Sequence, residues 1–452
     1  MKLKNFSRLL LVAFVAMSIA TSCTKEGPAG PAGANGTDGT NGTNGTNGTN
    51  GVNGGSDCKL CHNPTSVDLI ATQFQLSKHE YGEAAFDEAG ITGCTPCHAQ
   101  EAFKYVVKNN TPSTFKLNET TGKWSNQYAT IPSAAYGAIG CSTCHSSIHT
   151  TYGTADMAFT TVAAVPMNMW AGAKLIDLKA DGGVSNLCVK CHQPRPQTNL
   201  QTGNVQDYVA VAANPTVLAY DAANDKAATN IVRPSYRMHI HYGSVGAIYA
   251  GMGGVEFGSG YTNSPHTALA SCTDCHMGEV NGRAGGHTFV AKGNFNGCNV
   301  TGCHSATPIT AATTSKYWKE TRDEVKGLLE QLAAKLTVGG VDILNRNPDT
   351  EANLWVGLTT QKYDGYLNVY DPVNNPNGIA NNSAGTFQNP GNTSSWTADQ
   401  KAINAALPKL SLTNAQYGAC INFQLCLREY SLGIHNTAYT KTLLKNSIAI
   451  LP

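Results

Sequence analysis

The sequence predicts a mainly irregular fold in which short α-helices pack around a stack of bound groups, with a helical C-terminal segment and little β-structure. Three observations predict it. Six units of the C-x-x-C-H type lie between Cys58 and His304. The stretches between them are rich in Gly, Asn, Thr and Ala and carry few periodic apolar runs. Beyond His304 apolar residues recur at helical spacing.

The units are Cys58-Lys-Leu-Cys61-His62, Cys94-Thr-Pro-Cys97-His98, Cys141-Ser-Thr-Cys144-His145, Cys188-Val-Lys-Cys191-His192, Cys272-Thr-Asp-Cys275-His276 and the stretched Cys298-Asn-Val-Thr-Gly-Cys303-His304. In such a unit two cysteines form thioethers to haem vinyl groups and the histidine takes an axial position on iron. Six copies point to six covalently attached c-type haems, and large flat apolar groups of that kind would form much of the core. One copy alone would fit a zinc or redox site. The null for the last unit, with four residues between its cysteines, is a disulfide beside a chance histidine.

Composition agrees with this reading and narrows the partners. Twelve of the fifteen cysteines belong to the units, so cysteine usage is cofactor chemistry rather than stapling. The formal charge is +1 with 31 basic and 30 acidic residues, and loss of Lys2, Lys4 and Arg8 with a leader would leave 28 basic. Haem propionates would add further negative charge. No nucleic-acid partner is expected on that balance.

Taken in order, residues 1–22 carry a basic start and an apolar run from Leu9 to Ala20, too short to span a bilayer and suited to an export signal. Ile19-Ala-Thr-Ser-Cys23 resembles a bacterial lipoprotein cleavage box, so Cys23 is expected to be the lipidated N-terminus, against an ordinary secretory signal. Residues 23–57 are then a spacer, with glycine at every third position from Gly27 to Gly54. The period is collagen-like, but proline ends at Pro31 and the Thr-Asn triplets bury nothing, which leaves a flexible tether or a trimeric triple helix.

Residues 58–305 form the expected multihaem domain, with Asn199 to Asn230 read as a surface insertion. Residues 306–452 form the helical segment that packs on it and supplies a ligand. Tyr317 to Leu336 places Trp318, Val325, Leu328, Leu329, Leu332 and Leu336 on one face, behind caps at Thr313 to Ser315. Gly339 to Ser395 reads as irregular. Thr397 to Leu407, Thr413 to Tyr430 and Asn436 to Leu451 read as helices, with Gly433 capping the middle one.

Thirteen histidines set the ligand arithmetic. His62, His98, His145, His192, His276 and His304 belong to the units, leaving His79, His149, His239, His241, His266, His287 and His435 as candidates for the opposite axial positions. Seven for six irons leaves one spare. Met252 and Met277 are weaker candidates, with packing as the alternative. His145 and His149 are too close in sequence to clamp one iron from opposite faces, so His149 should serve a neighbour of the haem held by His145. His239 and His241, two apart, point to opposite sides if extended. Cys420 and Cys426 pair as a disulfide only if the helix containing them breaks.

The strings Tyr261-Thr-Asn-Ser-Pro-His266, Cys272-Thr-Asp-Cys275-His276-Met277 and Gly285-Gly286-His287-Thr-Phe, preceded by His241-Tyr-Gly243, resemble the outer-membrane and extracellular multihaem c-type cytochromes of metal-reducing bacteria. The tail, Gly433-Ile-His435-Asn436-Thr-Ala-Tyr439 with Leu443-Leu444, resembles their C-terminal ligand segment and, more distantly, that of the multihaem nitrite reductases. The resemblance covers Arg237 to the C-terminus. It implies opposite-face ligation by His241, His266, His287 and His435, and exchange of electrons with other multihaem cytochromes or extracellular acceptors. Six haems on an exported chain are also similar to the hexahaem cytochromes that polymerise into extracellular nanowires. The stretched sixth unit, the lipoprotein leader and the glycine spacer depart from that group, so a tethered monomer stands beside a homo-polymer.

The expected function is an electron carrier with every iron closed by two histidines and no catalytic residue, anchored by lipid at the outer membrane or cell surface. The alternative is a reductase of nitrite, hydroxylamine or a sulfur oxyanion, which needs one open iron. Nitrite reductases mark theirs with lysine in place of the unit's histidine, and all six units here end in histidine.

Overall fold

The structure is a computed structural model, described for residues 62–63, 65–82, 94–109, 114–118, 123–127, 137–152, 154–195, 206–224, 226–228, 234, 238, 240–310, 316–346, 363–367 and 410–452. All of them lie in the unit Gly54–Pro452. The leader, Cys23, the glycine spacer, Cys58, Cys61, His239, the caps at 313–315 and the helix expected over 397–407 fall outside the described residues.

The regular structure is mixed, with helix well ahead of strand. The helices are α1 (Val67–Gln75), α2 (Lys78–Tyr81), α3 (Thr95–His98), α4 (Gln100–Lys108), α5 (Cys141–Cys144), α6 (Val184–Cys191), α7 (Tyr208–Ala213), α8 (Val245–Tyr249), α9 (His266–Leu269), α10 (Cys272–His276), α11 (Thr321–Lys335), α12 (Asn414–Arg428) and α13 (Thr437–Ile450). The strands of the described residues form five antiparallel sheets of two or three short strands. None of the described helices is long and apolar enough to cross a membrane.

The core centres on α12. Of its fifteen residues only Gln416 is not buried, which requires partners on all sides. Helices α11 and α13 pack on it, with α7 and α8 on further faces. From α11 come Val325, Leu328, Leu329, Leu332 and Ala333, as the sequence spacing requires. From α13 come Leu443 and Leu444. Thr413 caps α12, its hydroxyl accepting from Gln416 N–H at 3.2 Å while Gln416 Oε1 accepts from Thr413 N–H at 2.9 Å.

A helix this deep must also satisfy its polar side chains, because an unpaired buried amide costs about 1–3 kcal/mol. Asn422 Oδ1 accepts from Val255 N–H at 2.7 Å, and its Nδ2 donates to Val255 O and Ser447 Oγ. Gln424 Nε2 donates to Met238 O and Gly365 O. The apolar helix face and these side-chain clamps together fix the chain on either side of the fifth and sixth units.

Three expectations need correction, and a fourth, that Cys420 and Cys426 pair only if their helix breaks, agrees with the structure. The 199–230 segment is no surface insertion in its described part: Tyr208, Val211, Ala219 and Tyr220 are buried, and a strand over Leu218–Asp221 pairs with Leu412–Thr413 beside α12. Over four residues with Ala219 and Tyr220 both buried there is no alternation to read. Within 339–395, described residues form strands at Val341–Asp342, Leu344–Arg346 and Tyr363–Leu367, where polar and glycine-rich sequence had suggested irregular chain. The left-handed turn after α12 is taken by Tyr430, φ 64°, rather than by Gly433. Cys420 and Cys426 are free and buried in one unbroken helix. Burial pushes both thiols above the ordinary cysteine range.

Removing the side chain of Leu329, which is fully buried on α11, should cost about 2–5 kcal/mol. Chemical denaturation of Leu329→Ala against the parent protein checks this. Iodoacetamide should leave Cys420 and Cys426 unmodified in the folded protein and label both after denaturation without reductant. A mass spectrum showing a non-reduced crosslink between them would contradict the continuous helix.

Candidate functional site

Four of the described units share one local build. In α3, α5 and α6 the N–H of the unit's histidine donates to the carbonyl of its first cysteine, at 3.1 Å for His98 and Cys94, 2.9 Å for His145 and Cys141, and 2.9 Å for His192 and Cys188. One helical turn therefore presents two thiols and an imidazole together. The fifth unit is the helix α10 itself, capped by Ser271, whose hydroxyl accepts from Asp274 N–H.

The stretched sixth unit closes the same way without a regular helix. His304 N–H donates to Cys298 O at 3.1 Å, and the added residues turn outward through Gly302 at φ 88°, with open space around its Cα. The identity of the hydrogen-bonded pair is kept while the number of residues between them grows. Cys298 and Cys303 are both free, so the disulfide alternative does not describe this unit.

Five of the six unit histidines have an imidazole from elsewhere in the chain against them. Ring centroids are 5.7 Å apart for His62 and His149, 5.9 Å for His192 and His79, and 6.1 Å for His98 and His241. They are 6.0 Å apart for His304 and His266 and 6.2 Å for His276 and His435, where the rings are within 18° of parallel. His145 and His287 are near enough that the charge of one depresses the pKa of the other. A metal–imidazole bond is about 2.0–2.1 Å, so two imidazoles trans across one metal have ring centres roughly 6 Å apart. The ring spacings would suit an iron held between two histidines, and the Nε2 atoms of His62 and His149, 3.4 Å apart, would open to about 4 Å to hold it.

The pairing places His149 with His62 rather than with its near neighbour His145. It also uses six of the seven non-unit histidines once each. His239, the seventh, is outside the described residues. Met252 packs against the apolar core and Met277 ends α10.

Hydrogen bonds at Nδ1 orient the rings. His145 Nδ1 bonds Met157 O at 2.9 Å, His192 bonds Gly243 O at 3.2 Å, His276 bonds Phe289 O at 2.9 Å, His266 bonds Ile434 O at 3.1 Å and His241 bonds Tyr242 O at 2.8 Å. An Nδ1–H given to a carbonyl leaves Nε2 bare and facing the partner ring, the form that binds metal. At His435 the acceptor is a carboxylate, Glu429 Oε2, at 2.5 Å.

Electrostatics favours the neutral form of five of the rings. Burial, then His192 and His276, lower the pKa of His79 to about 4. Burial is also the first cause of the lowered values of His192, His276, His287 and His304, each with a neighbouring histidine adding to it. A cation among other imidazoles would be both desolvated and repelled.

The units also touch one another. Hydrogen bonding between Cys97 and Cys191 raises the Cys191 thiol and lowers that of Cys97, and the same relation holds Cys188 up and Cys272 at about 7. Cys275 and Cys298 are joined likewise. Phe289 lies 4.9 Å from the ring of His79 and 5.8 Å from that of His287. The six pairs therefore form one contiguous group, with the α6 unit meeting both the second and the fifth.

Residues with no motif hold the partner histidines, and sequence reading passed over them. Asn436, fully buried, caps α13 through Tyr439 N–H and also accepts from Ser264 N–H at 2.9 Å, tying the His435 segment to the His266 segment. Tyr249 OH donates to His266 O and Ala270 O at the two ends of α9. Gln73 on α1 accepts from His287 N–H. Asp156 accepts from Thr151 N–H and Oγ1 at 2.7 Å and Tyr152 N–H at 2.9 Å. That loop holds His149 at φ 62° and Tyr152 at φ 55°, and His241 stands at φ 88°, all costly for non-glycine residues.

No family model matches the chain, and neither a curated protein nor a solved structure matches it.

Asp156→Ala should release the loop that carries His149. Hydrogen exchange at the Thr151 and Tyr152 amides is expected to become at least tenfold faster, with α12 amides unchanged; equal protection in the variant would show that Asp156 does not hold the loop.

Proposed function

We propose that the chain is a six-haem c-type cytochrome that carries electrons between redox partners outside the cytoplasm, with all six irons closed by two histidines. One observation carries the reading: five of the six unit histidines face one imidazole each from elsewhere in the chain, with ring centres 5.7–6.2 Å apart. A disulfide role for the cysteine units gives no reason for that second imidazole.

Haem bound between two imidazoles supplies reversible one-electron transfer with no vacant position for a substrate. The chain's own residues favour the neutral form of His79, His192, His276, His287 and His304, orient six of the rings through Nδ1, and bring neighbouring units into contact so that the sites are close. The acidic holoprotein expected from the charge count suits partners with basic faces, and the lipoprotein-type leader with its spacer suits a tethered position at the outer membrane or cell surface. Other multihaem cytochromes or extracellular acceptors are the proposed partners.

The test is the holoprotein itself. Mass spectrometry of the denatured protein should show six covalently bound haems, and low-temperature EPR of the oxidised protein should show low-spin signals throughout. A substantial high-spin signal in the parent protein would replace this reading with the reductase. His79→Ala should keep six haems and convert one to high spin, whereas His239→Ala should leave the spectrum unchanged; a high-spin haem in His239→Ala would overturn the pairing.

A further inference from the structure

Glu429 immediately follows the last residue of α12 and is 1% exposed. Its Oε2 accepts from His435 Nδ1 at 2.5 Å and from Ser431 Oγ at 2.6 Å, and its Oε1 accepts from Gly433 N–H at 3.1 Å. Ser431 Oγ in turn accepts from His435 N–H at 3.0 Å, so residues 429–435 close on the carboxylate as a unit. Arg428 beside it in sequence turns its guanidinium onto the rings of Tyr242 and Tyr366, 4.5 and 4.9 Å away.

We propose that Glu429 is a positioning residue that makes the iron site of His276 and His435 the hardest of the six to reduce. The inference rests on the six-haem reading and goes beyond it by ranking one site.

Two physical effects act in the same direction. A carboxylate on Nδ1 makes a charge-assisted hydrogen bond, roughly twice as strong as a neutral one, and it increases the electron density that the ring offers to a metal at Nε2. A buried negative charge close to the iron favours the oxidised, more positive state, because little water intervenes to screen it. The carbonyl anchors at His145, His192, His241, His266 and His276 are dipoles without net charge, at 2.8–3.2 Å. Asp68 near His62 is no equivalent: its oxygen is 4.0 Å from Nδ1 and both side chains are at least half exposed. Reduction adds one electron to the iron and no bond forms or breaks.

The experiment is a spectroelectrochemical titration of the full-length holoprotein, with dithionite as reductant and ferricyanide as oxidant, combined with EPR and haem counting. Glu429→Gln is expected to keep six low-spin haems, to move only the most negative of the six one-electron transitions to higher potential, and to shift one low-spin EPR signal. Glu429→Asp, which keeps the charge, should return that transition towards the parent value, and Asp68→Asn should leave all six in place. Ser431→Ala removes a competing donor from the carboxylate and should lower the same transition; it carries the test if Glu429→Gln does not accumulate. An unchanged titration in a six-haem Glu429→Gln protein, a common shift of all six transitions, or an unchanged Ser431→Ala titration would overturn the proposal. A parent protein with fewer than six haems would instead remove the reading on which it stands.

Discussion

The facing of two imidazoles from distant parts of the chain is the constraint on which the other features depend. His435 has to come back across more than a hundred and fifty residues to His276, and His287 has to meet His145, so no segment can be placed independently of the rest. Short helices and tight turns follow from this. A long regular helix could not present a histidine to one neighbour and a cysteine to another every few residues. Left-handed backbone at His149, His241 and Phe289 is the local cost, sustained because the surrounding hydrogen bonds over-determine it.

The C-terminal helices supply the rigidity that the cysteine units lack. Helix α12 is enclosed on every side, and Asn436, the cap of α13, accepts from both Ser264 ahead of α9 and Tyr439 within α13. Packing energy from Leu329, Leu332, Leu443 and Leu444 is thereby converted into position for His435 and His266. Burial has a second effect, since it favours the uncharged, metal-binding form of His79, His192, His276, His287 and His304.

Much of the site was legible in the sequence because the cysteine–histidine units repeat with nearly fixed spacing. The units, the candidate histidines and the helices over 321–335, 414–428 and 437–450 could all be read from residue order alone. Partner choice could be read only negatively, as with His149 and His145, since it depends on how distant segments fold back. Glu429, Asn436, Tyr249 and Asp156 carry no spacing signal. They are ordinary polar residues whose roles come from burial, which single-sequence composition does not encode. The same limit hid the core strand at Leu218–Asp221, whose two middle residues are both buried so that no period shows.

The sixth unit has a wider consequence. What its His304 N–H and Cys298 carbonyl preserve is a closed ring of backbone atoms, larger than in the other units but ending on the same two groups. A residue count between cysteines is then only a proxy for that closure. Extra residues can be inserted where a glycine such as Gly302 lets them bulge into solvent, and attachment geometry survives. Sequence patterns written with a fixed gap will pass over units of this kind in other chains, while a pattern anchored on the first cysteine, the terminal histidine and an intervening glycine would find them.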